Sequence, residues 1–296
     1  MPGSRPETRL VPHAGLPRAH RRPHVLHSTV DAHGRAHWLL SERAPDRARE
    51  GPVDALVVTV EDGSPYETRL SAVLPQCTRV EALPDGGFVL YASRTGGGEP
   101  QVQVFDALGR PTWTFRVGDA VQHLLADEAG DLWVGHFDEG IYGDDLSGPG
   151  LRRWSSTGEP LWAHAPGSKR EFIDDCYALN VTGRTAWTCP YRDFPLIGVQ
   201  RDGTVRVWEN PVRGASGLAV RGPRVAFFGG HGDDHDRLVV ADLGGDAVTP
   251  VAQGRLVRPD GGTIGGRRVV GRGFRLYVQE KPWAEWAVFD LGDAPG

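Results

Sequence analysis

Carboxylates and imidazoles are concentrated in three regions of this chain, and aromatic residues are interleaved with them. The first region covers residues 135–146 (GHFDEGIYGDDL). The second combines residues 171–177 (EFIDDCY) with residues 189–195 (CPYRDFP), and the third covers residues 228–236 (FGGHGDDHD). Such groups can bind a divalent cation, or supply a carboxylic acid and an imidazole base for proton transfer. Apolar walls with a few polar groups are also typical of pockets for small molecules.

The three regions supply three sets of candidate site residues. Catalytic or electrostatic roles are predicted for Asp138, Glu139, Asp193, His231 and His235. Ligand contacts are predicted for His136, Phe137, Tyr142, Asp175, Tyr177, Tyr191, Arg192 and Phe194. Metal ligation is predicted for Asp138, Glu139, Asp233 and Asp234. Carboxylates alone favour Ca²⁺ or Mg²⁺, and added imidazoles favour Zn²⁺ or Mn²⁺. The alternative for each of these residues is an exposed loop side chain that is only solvated.

Two cysteines and two histidines could also carry chemistry, but packing explains them better. Cys176 and Cys189 are placed to face each other across a hairpin that turns near Gly183, although a bulge there would offset them by one residue. No local signature supplies a partner base, so both thiols are interpreted as packing groups. His27 and His123 lie on predicted inner strands and are interpreted as buried, hydrogen-bonded histidines.

Turns that end in glycine recur along the chain and predict an all-β fold. In one series, Gly63, Gly109, Gly158 and Gly203 are separated by 46, 49 and 45 residues. A second series of turns is followed within a few residues by an aromatic, at Trp38, Trp133, Trp187 and Phe227. Four short strands per repeat and a period of about 40–50 residues are typical of a β-propeller. A β-sandwich has no reason to repeat an aromatic at the same place in successive units.

Six repeats are counted, which predicts one domain over residues 1–296 with the fold of a six-bladed β-propeller. The blades are expected at about 23–75, 76–118, 119–168, 169–213, 214–257 and 258–296. Their inner strands are expected to begin near Leu26, Thr78, Val121, Cys176, Gly217 and Thr263.

The last repeat lacks an outer strand, while residues 8–12 precede the first repeat and have no place in it. We therefore expect residues 8–12, within a closing segment of residues 1–22, to pair with the strand near 286–291. This N-terminal strand would complete the last blade and cover an open sheet edge. Pro12 suits such an edge, because its missing N–H group is not needed there.

The longest predicted connections join the second and third strands of each blade and emerge on one face. They are Ser41–Val53, Thr95–Gln101, His136–Gly150, Pro190–Phe194, Gly229–Asp236 and Gln279–Trp286. Functional residues concentrate in such loops. Because the loops of the third, fourth and fifth blades are neighbours in this arrangement, we expect Asp138, Glu139 and Asp193 to act as one electrostatic unit. Their counter-charge would come from His231 or His235.

Composition excludes several classes of protein. The chain has 296 residues, of which 40 are Gly and 23 are Pro, and hydrophobic residues make up 39%. This composition indicates an ordered fold with many turns. The net charge of −5 argues against a nucleic-acid partner, and no apolar run is long enough for a membrane span. The first ten residues lack the apolar core of a secretory signal, and three Cys do not make a disulfide framework, so a cytoplasmic location is expected.

Residues 121–135 (VQHLLADEAGDLWVG) resemble the propeller repeat of bacterial two-component sensors, whose blades read roughly D-x-x-G-x-L-W-V-G. The resemblance covers one blade, and it implies the fold but no sensor role. Residues 133–140, 175–181 and 193–195 look like segments of uncharacterised bacterial propeller proteins, which points to the same loops without an activity. The chain is also similar in size and blade number to gluconolactonase-type enzymes. Those enzymes hold one divalent metal through carboxylate and Asn ligands that have no residue-by-residue match here.

Two functions from different classes fit these observations. The favoured one is a small-molecule binding protein or enzyme, such as a hydrolase or lyase assisted by a divalent cation, with its site on the loops of blades three to five. The alternative is a non-catalytic scaffold that binds another protein through the same face. The convergence of acids and histidines favours the small molecule, because protein-binding faces are usually broader and carry exposed anchor residues.

Overall fold

The computed structural model describes residues 5–42, 51–94 and 98–293, and it confirms the all-β class predicted from the turns. The chain divides into two compact units. The first unit covers residues 14–165, and the second unit covers residues 1–13 and 166–296. Residues 43–50 and 95–97 belong to the predicted loops Ser41–Val53 and Thr95–Gln101 and lie outside the described residues.

Two short strands begin the described chain, β1 (Glu7–Arg9) and β2 (Val11–Gly15). The first unit then forms three antiparallel sheets, each from four strands that are consecutive in the chain. The first sheet contains β3 (His24–Val30), β4 (Ala36–Ser41), β5 (Val53–Glu61) and β6 (Ser64–Val73). The second contains β7 (Arg79–Ala82), β8 (Phe88–Tyr91), β9 (Val102–Phe105) and β10 (Pro111–Phe115). The third contains β11 (Val121–Ala126), β12 (Leu132–His136), β13 (Leu151–Trp154) and β14 (Pro160–Ala163).

The second unit repeats this pattern. Its first set is β15 (Leu179–Val181), β16 (Thr185–Thr188), β17 (Leu196–Gln200) and β18 (Val205–Trp208). Its second set is β19 (Gly217–Arg221), β20 (Arg224–Phe228), β21 (Arg237–Leu243) and β22 (Val248–Val257). Its third set is β23 (Arg267–Arg272), β24 (Arg275–Glu280) and β25 (Glu285–Asp290). Strand β15 pairs in parallel with β23, which joins the first and third sets into one eight-stranded sheet that ends at β2.

Helical structure in the described residues is short. The helix α1 covers Asp138–Ile141, and single 3₁₀ turns cover Arg18–His20, Lys169–Glu171, Gly232–Asp234 and Leu291–Asp293. Among the described residues, no helix has the length and apolar character that a membrane span requires.

The N-terminal segment covers the outer edges of two sheets in the second unit. Strand β2 is hydrogen-bonded beside β25, so residues 11–12 lie next to the strand to which the sequence assigned them. Residues 8–9 differ from that prediction, because β1 pairs in parallel with β22, with Thr8 opposite Leu256. Between the two strands, Leu10 is buried in the core of this unit. The segment therefore protects two sheet edges rather than one.

The hairpin turns depend on aspartates as well as on glycines. One carboxylate oxygen each of Asp31, Asp106 and Asp127 accepts hydrogen bonds from the backbone N–H groups two and four residues later, at 2.9–3.0 Å. This satisfies the backbone inside each turn. The glycine that follows has a positive φ, as in Gly34 at 84° and Gly109 at 75°, a conformation that side chains disfavour.

Apolar residues are buried between consecutive sheets of the same unit. Val57 and Leu70 pack with Val80 and Leu90 between the first two sheets, and three comparable clusters occur elsewhere. The aromatics Trp38, Trp133 and Phe227 of the second turn series are fully buried, and Trp187 is half-buried. Two inner strands begin later than predicted: β15 begins at Leu179 instead of near Cys176, and β23 begins at Arg267 instead of near Thr263.

Deletion of residues 1–14 tests the role of the N-terminal segment. We expect the melting temperature to fall by about 10 °C, or the soluble yield to collapse, because the outer edges of β22 and β25 open and the core loses Leu10. Thermal unfolding followed by circular dichroism measures the change, and a chain that lacks only residues 1–4 is the control, since it keeps both strands. Equal melting of the two truncated chains would contradict this role.

Candidate functional site

Four aromatic rings from three loop regions of the second unit meet in one cluster, which we call the aromatic platform: Tyr177, Tyr191, Phe194 and His231. The rings of Tyr177 and Tyr191 are stacked, with centroids 5.7 Å apart and planes 18° apart. The Tyr177 ring also lies edge-on to Phe194 at 5.4 Å and to His231 at 6.1 Å. All four were predicted as site residues. Tyr191 is 41% exposed and His231 is also exposed, whereas Phe194 is 4% exposed, so the platform combines solvent-facing rings with a buried one.

Backbone pairing brings the two tyrosines together. Asp175 and Tyr191 form an isolated antiparallel bridge, in which the Tyr191 N–H donates to the Asp175 carbonyl at 2.9 Å. This pairing continues the β15–β16 hairpin past the ends of its strands, so residues 175–177 and 189–191 run side by side. The exposed Arg192 follows and lies 3.4 Å from the Asp174 carboxylate. The loop is therefore tied on both sides of Tyr191.

Phe194 is held in a backbone conformation that bulky residues rarely adopt. Its φ is 56°, which lies in the left-handed region. The Asn210 side-chain amide donates to the Phe194 carbonyl at 2.9 Å and to the Val212 carbonyl at 3.0 Å, and it contacts the Cys189 sulfur at 3.5 Å. Such strain costs about 1–3 kcal/mol and persists where the surroundings enforce it, often at functional sites.

His231 is placed in the platform by a glycine on the facing loop. Gly214 has a φ of 70°, and a Cβ atom at this position would lie 2.7 Å from the imidazole ring of His231. The loop that carries His231 is fixed further by Arg237, whose guanidinium donates to the carbonyls of Arg213 and Gly229. Only a glycine at 214 leaves room for the ring in this position.

A cleft of about 1090 Å³ opens beside the platform, within the second unit. Its walls include Trp208, Pro211, Arg213 and the carboxylates of Glu171, Asp193, Glu209 and Asp246. The Arg213 guanidinium donates to the Asp193 carbonyl and lies 5.8 Å from the centre of the Phe194 ring. Arg213 therefore lines the cleft and also contacts the platform.

The two cysteines of this unit are not nucleophiles. Burial raises the pKa of Cys176 and of Cys189 to about 12, so both are protonated near neutral pH. They also do not face each other as the predicted hairpin register required. Leu179 pairs with Thr188, which places Ala178 opposite Cys189, and the Cys176 sulfur instead lies 3.3 Å from the Thr188 hydroxyl. The hairpin is two residues out of the predicted register, because its turn is centred on residues 183–184.

The predicted residues at 136–142 lie in the first unit. His136 is fully buried, and its Nδ1 donates to the Asp119 carbonyl at 2.9 Å, while Nε2 has no hydrogen-bond partner among the described residues. Burial lowers the pKa of His136 to about 4, and the positive charge of Arg152 adds to this effect, so the ring is neutral at pH 7. The ligand contact of His136 stays a prediction.

The other residues of this loop surround an arginine. The Arg94 guanidinium forms an ion pair with Glu139 and lies 4.6 Å from the centre of the Phe137 ring. Asp138 is exposed at the start of α1, and the side chain of Tyr142 is 66% exposed. The Glu139 carboxylate therefore already has a counter-charge within its own unit.

The predicted metal ligands come from both units: Asp138 and Glu139 lie in the first unit, and Asp233 and Asp234 lie in the second. In the part of the chain that the structure describes, no three His, Cys, Asp or Glu side chains are grouped so that they could hold a metal ion. Asp234 pairs instead with Arg5 at 2.6 Å and with Arg237 at 3.6 Å. Asp233 is exposed on the same turn, and the His235 Nδ1 contacts the Gly232 carbonyl at 3.3 Å. The cation site stays a prediction, as does the joint action of Asp138 and Glu139 with the 193 and 231 regions.

Three residues of the site carried no recognised signal in the sequence. Arg213, Asn210 and Gly214 all belong to the segment that follows β18. The dipeptide Asn210-Pro211 is an ordinary turn signal, and Gly214 has the sequence context of any glycine in a loop. Their roles depend on contacts with residues 16 to 20 positions away in the chain, which spacing alone does not indicate.

Comparisons with known proteins leave the function open. No family model and no curated sequence matches the chain. Similar solved structures include virginiamycin B lyase from Staphylococcus aureus, with 11% identity over 93% of this chain and 97% of that chain and a TM-score of 0.48. They also include a gluconolactonase from Xanthomonas campestris (15%, 96% and 98%, TM-score 0.45) and BamB from Moraxella catarrhalis (14%, 92% and 84%, TM-score 0.45). At these values the similarity carries no argument about activity, and the site is interpreted from its own side chains.

The substitution Gly214→Ala should displace His231 from the platform, because the new methyl group would overlap the imidazole ring. Gly222→Ala is the matched control: Gly222 also has a positive φ, at 56°, but no atom lies within 4 Å of an added Cβ. Both variants should lose about 1 kcal/mol or more from backbone strain. Only Gly214→Ala should also change the His231 ring-proton shifts in NMR spectra, and an unchanged His231 signal would refute the placement.

The free energy of unfolding should decrease as the pH is lowered from 7 to 5, because His136 is neutral in the folded state. Its folded pKa of about 4 lies below the unfolded value of roughly 6.5, so the unfolded chain binds more protons between these values. The His136 contribution is present above pH 6.5 and is lost as pH falls, by about 2 kcal/mol between pH 7 and pH 5. Denaturant unfolding at both pH values should show a smaller loss for His136→Gln than for the exposed-residue control His33→Gln. Equal losses would show that His136 titrates normally.

Proposed function

We propose that this protein binds a small organic molecule at the aromatic platform and the adjoining cleft. The observation that carries the proposal is that three rings, those of Tyr191, Phe194 and His231, meet the Tyr177 ring at centroid distances of 5.4 to 6.1 Å. A cleft of about 1090 Å³ beside them is large enough for a metabolite-sized ligand. Aromatic walls with a few polar groups are the usual composition of such sites.

The strained and crowded backbone of the site also supports a binding role. Phe194 has a φ of 56°, a backbone conformation that costs free energy of folding, and Gly214 leaves the space that the His231 ring occupies. Phe194 also belongs to the hydrophobic core between β15–β18 and β19–β22, and Tyr177 packs against that core. The core therefore fixes the inner side of the platform, and we assign the strained backbone to positioning its rings.

The proposal is binding rather than a named reaction. The buried thiols of Cys176 and Cys189 are protonated near neutral pH and are unsuited to nucleophilic attack. Hydrolase or lyase chemistry assisted by a cation, as expected from the sequence, would require Asp193 and His231 to cooperate with the 138–139 region. We keep this chemistry as a proposal that depends on ligand binding at the platform.

The six-bladed propeller predicted from the repeat is our proposal for the complete fold. It is supported by the sets of consecutive antiparallel strands in each unit, and by β2, which lies beside β25. In such a fold the loops between second and third strands, which carry Tyr191 and His231, emerge on one face.

Replacement of Tyr191 tests the proposed function. Tyr191→Ala should weaken the binding of aromatic fragments about tenfold or more, because it removes a solvent-facing ring of the platform. Tyr66→Ala is the matched control, since Tyr66 is exposed to nearly the same extent, at 43% against 41%, and lies on β6 in the first unit. Fragment binding is measured by ligand-observed NMR and by calorimetry.

The two candidate functions give different results in this experiment. If fragments bind the wild type and the Tyr66→Ala variant but not Tyr191→Ala, the platform is a small-molecule site. If no fragment binds the wild type, the small-molecule proposal fails, and the scaffold role becomes the better explanation of the same surface.

A further inference from the structure

Three rings of the aromatic platform form a triangle of closely spaced neighbours. The centroids of Tyr177, Tyr191 and Phe194 lie 5.4 to 5.7 Å from one another, and the Phe194 ring stands at 76° and 84° to the two tyrosine rings. These stacked and edge-to-face arrangements are the ones that aromatic rings prefer. The Tyr191 N–H donates to the Asp175 carbonyl, and the Tyr191 carbonyl accepts from the Asp174 N–H. The rings are therefore ordered before a ligand binds, which lowers the entropic cost of binding.

The most exposed ring of this triangle is Tyr191, at 41%, whereas Phe194 is buried. A planar ring placed on Tyr191 would continue the stack that Tyr177 and Tyr191 already form. Contact between two aromatic rings is stronger than the burial of the same area of aliphatic surface. Charged side chains of both signs line the adjoining cleft, so net charge does not point to one class of ligand, whereas the ring geometry does.

His231 gives the platform a hydrogen-bonding group. Its ring is exposed and lies 6.1 Å from the Tyr177 ring and 6.0 Å from the Phe194 ring. A neutral imidazole donates one hydrogen bond and accepts another. Because Tyr191 and His231 share these two neighbours, a ligand of two fused rings is long enough to touch both.

We infer that the ligand carries a planar heteroaromatic group of two fused rings, with an edge that donates and accepts hydrogen bonds. This inference rests on the proposed function and specifies its ligand class. One ring would stack on Tyr191, and the polar edge would face His231. The remainder of a larger ligand would extend into the cleft, along Trp208 and Pro211.

Three neutral lactams with one skeleton test stacking and hydrogen bonding separately: carbostyril, octahydrocarbostyril and N-methylcarbostyril. The octahydro form keeps the lactam but is not planar, and the N-methyl form keeps the planar rings but loses the N–H donor. We expect carbostyril to bind about fivefold more tightly than the octahydro form and about threefold more tightly than the N-methyl form. Binding is measured by calorimetry and by NMR shifts of the Tyr191 ring protons.

Two substitutions assign these preferences to their side chains. Tyr191→Leu keeps an apolar side chain and removes the ring, so carbostyril and its octahydro form should bind this variant equally. Tyr66→Leu is the matched control, because Tyr66 is exposed to nearly the same extent on β6 of the first unit, and it should keep the wild-type preference. His231→Phe keeps a ring and removes its nitrogens, so carbostyril and its N-methyl form should bind it equally. His235→Phe, on the same loop, is the control for this second change.

The outcomes separate this inference from the proposed function. If the planar and the octahydro lactam bind the wild type equally, or if Tyr191→Leu keeps the preference, stacking on Tyr191 is wrong and the binding site stands. If the N-methyl form binds the wild type as tightly as carbostyril, the hydrogen-bonding edge is wrong. If other aromatic fragments bind and no lactam does, the ligand class is wrong. If no fragment of any kind shifts the Tyr191 signals of the wild type, the proposed function itself fails.

Discussion

A four-stranded antiparallel sheet has two faces to cover, and in this protein consecutive sheets of the same unit pack their apolar faces against each other. Val57 and Leu70 of one sheet meet Val80 and Leu90 of the next, and the same arrangement recurs in both units. The burial of apolar faces between consecutive sheets supplies the main free energy of folding. Because strand residues supply this buried apolar surface, the loops at the strand ends are available for other contacts.

The short strands make the sheet edges a second constraint. An outer strand with unpaired N–H and C=O groups can pair with another chain, and natural proteins cover such edges. Here one segment covers two of them, with β1 on β22 and β2 beside β25. Leu10 anchors the segment in the core, and Arg5 forms an ion pair with Asp234 on the loop that carries His231. The same segment thus contacts both the sheet edges and the neighbourhood of the aromatic platform.

The aromatic platform shows how a rigid scaffold can hold a strained loop. Asn210 satisfies the carbonyls of Phe194 and Val212 with one amide, so the left-handed conformation of Phe194 is stabilised by a buried hydrogen-bonded group. A buried amide or carbonyl that lacks a hydrogen-bond partner destabilises the folded state by several kcal/mol. Loop conformations that break the hydrogen bonds of Asn210 are therefore disfavoured. The loop geometry is therefore set by a side chain distant in sequence, and the ring positions follow from it.

Local chemistry determined much of this protein from the sequence alone. The glycines of the hairpin turns, the buried Trp38 and Trp133, and the strands between them follow from conformational preferences and hydrophobic patterns that act over a few residues. The same reasoning selected Tyr177, Tyr191, Phe194 and His231 as candidate site residues, because aromatics mixed with acids in long loops are typical of binding sites.

Tertiary structure decided the features that depend on distant contacts or on exact register. The hairpin of Cys176 and Cys189 is shifted by two residues, and such a shift changes every cross-strand pair. The burial of His136 and the role of Arg213 depend on neighbours that come from other segments of the chain. Burial and charge fields arise only when those segments pack, so the chemical state of His136 and the cation on Phe194 could not be derived from residue types and spacing.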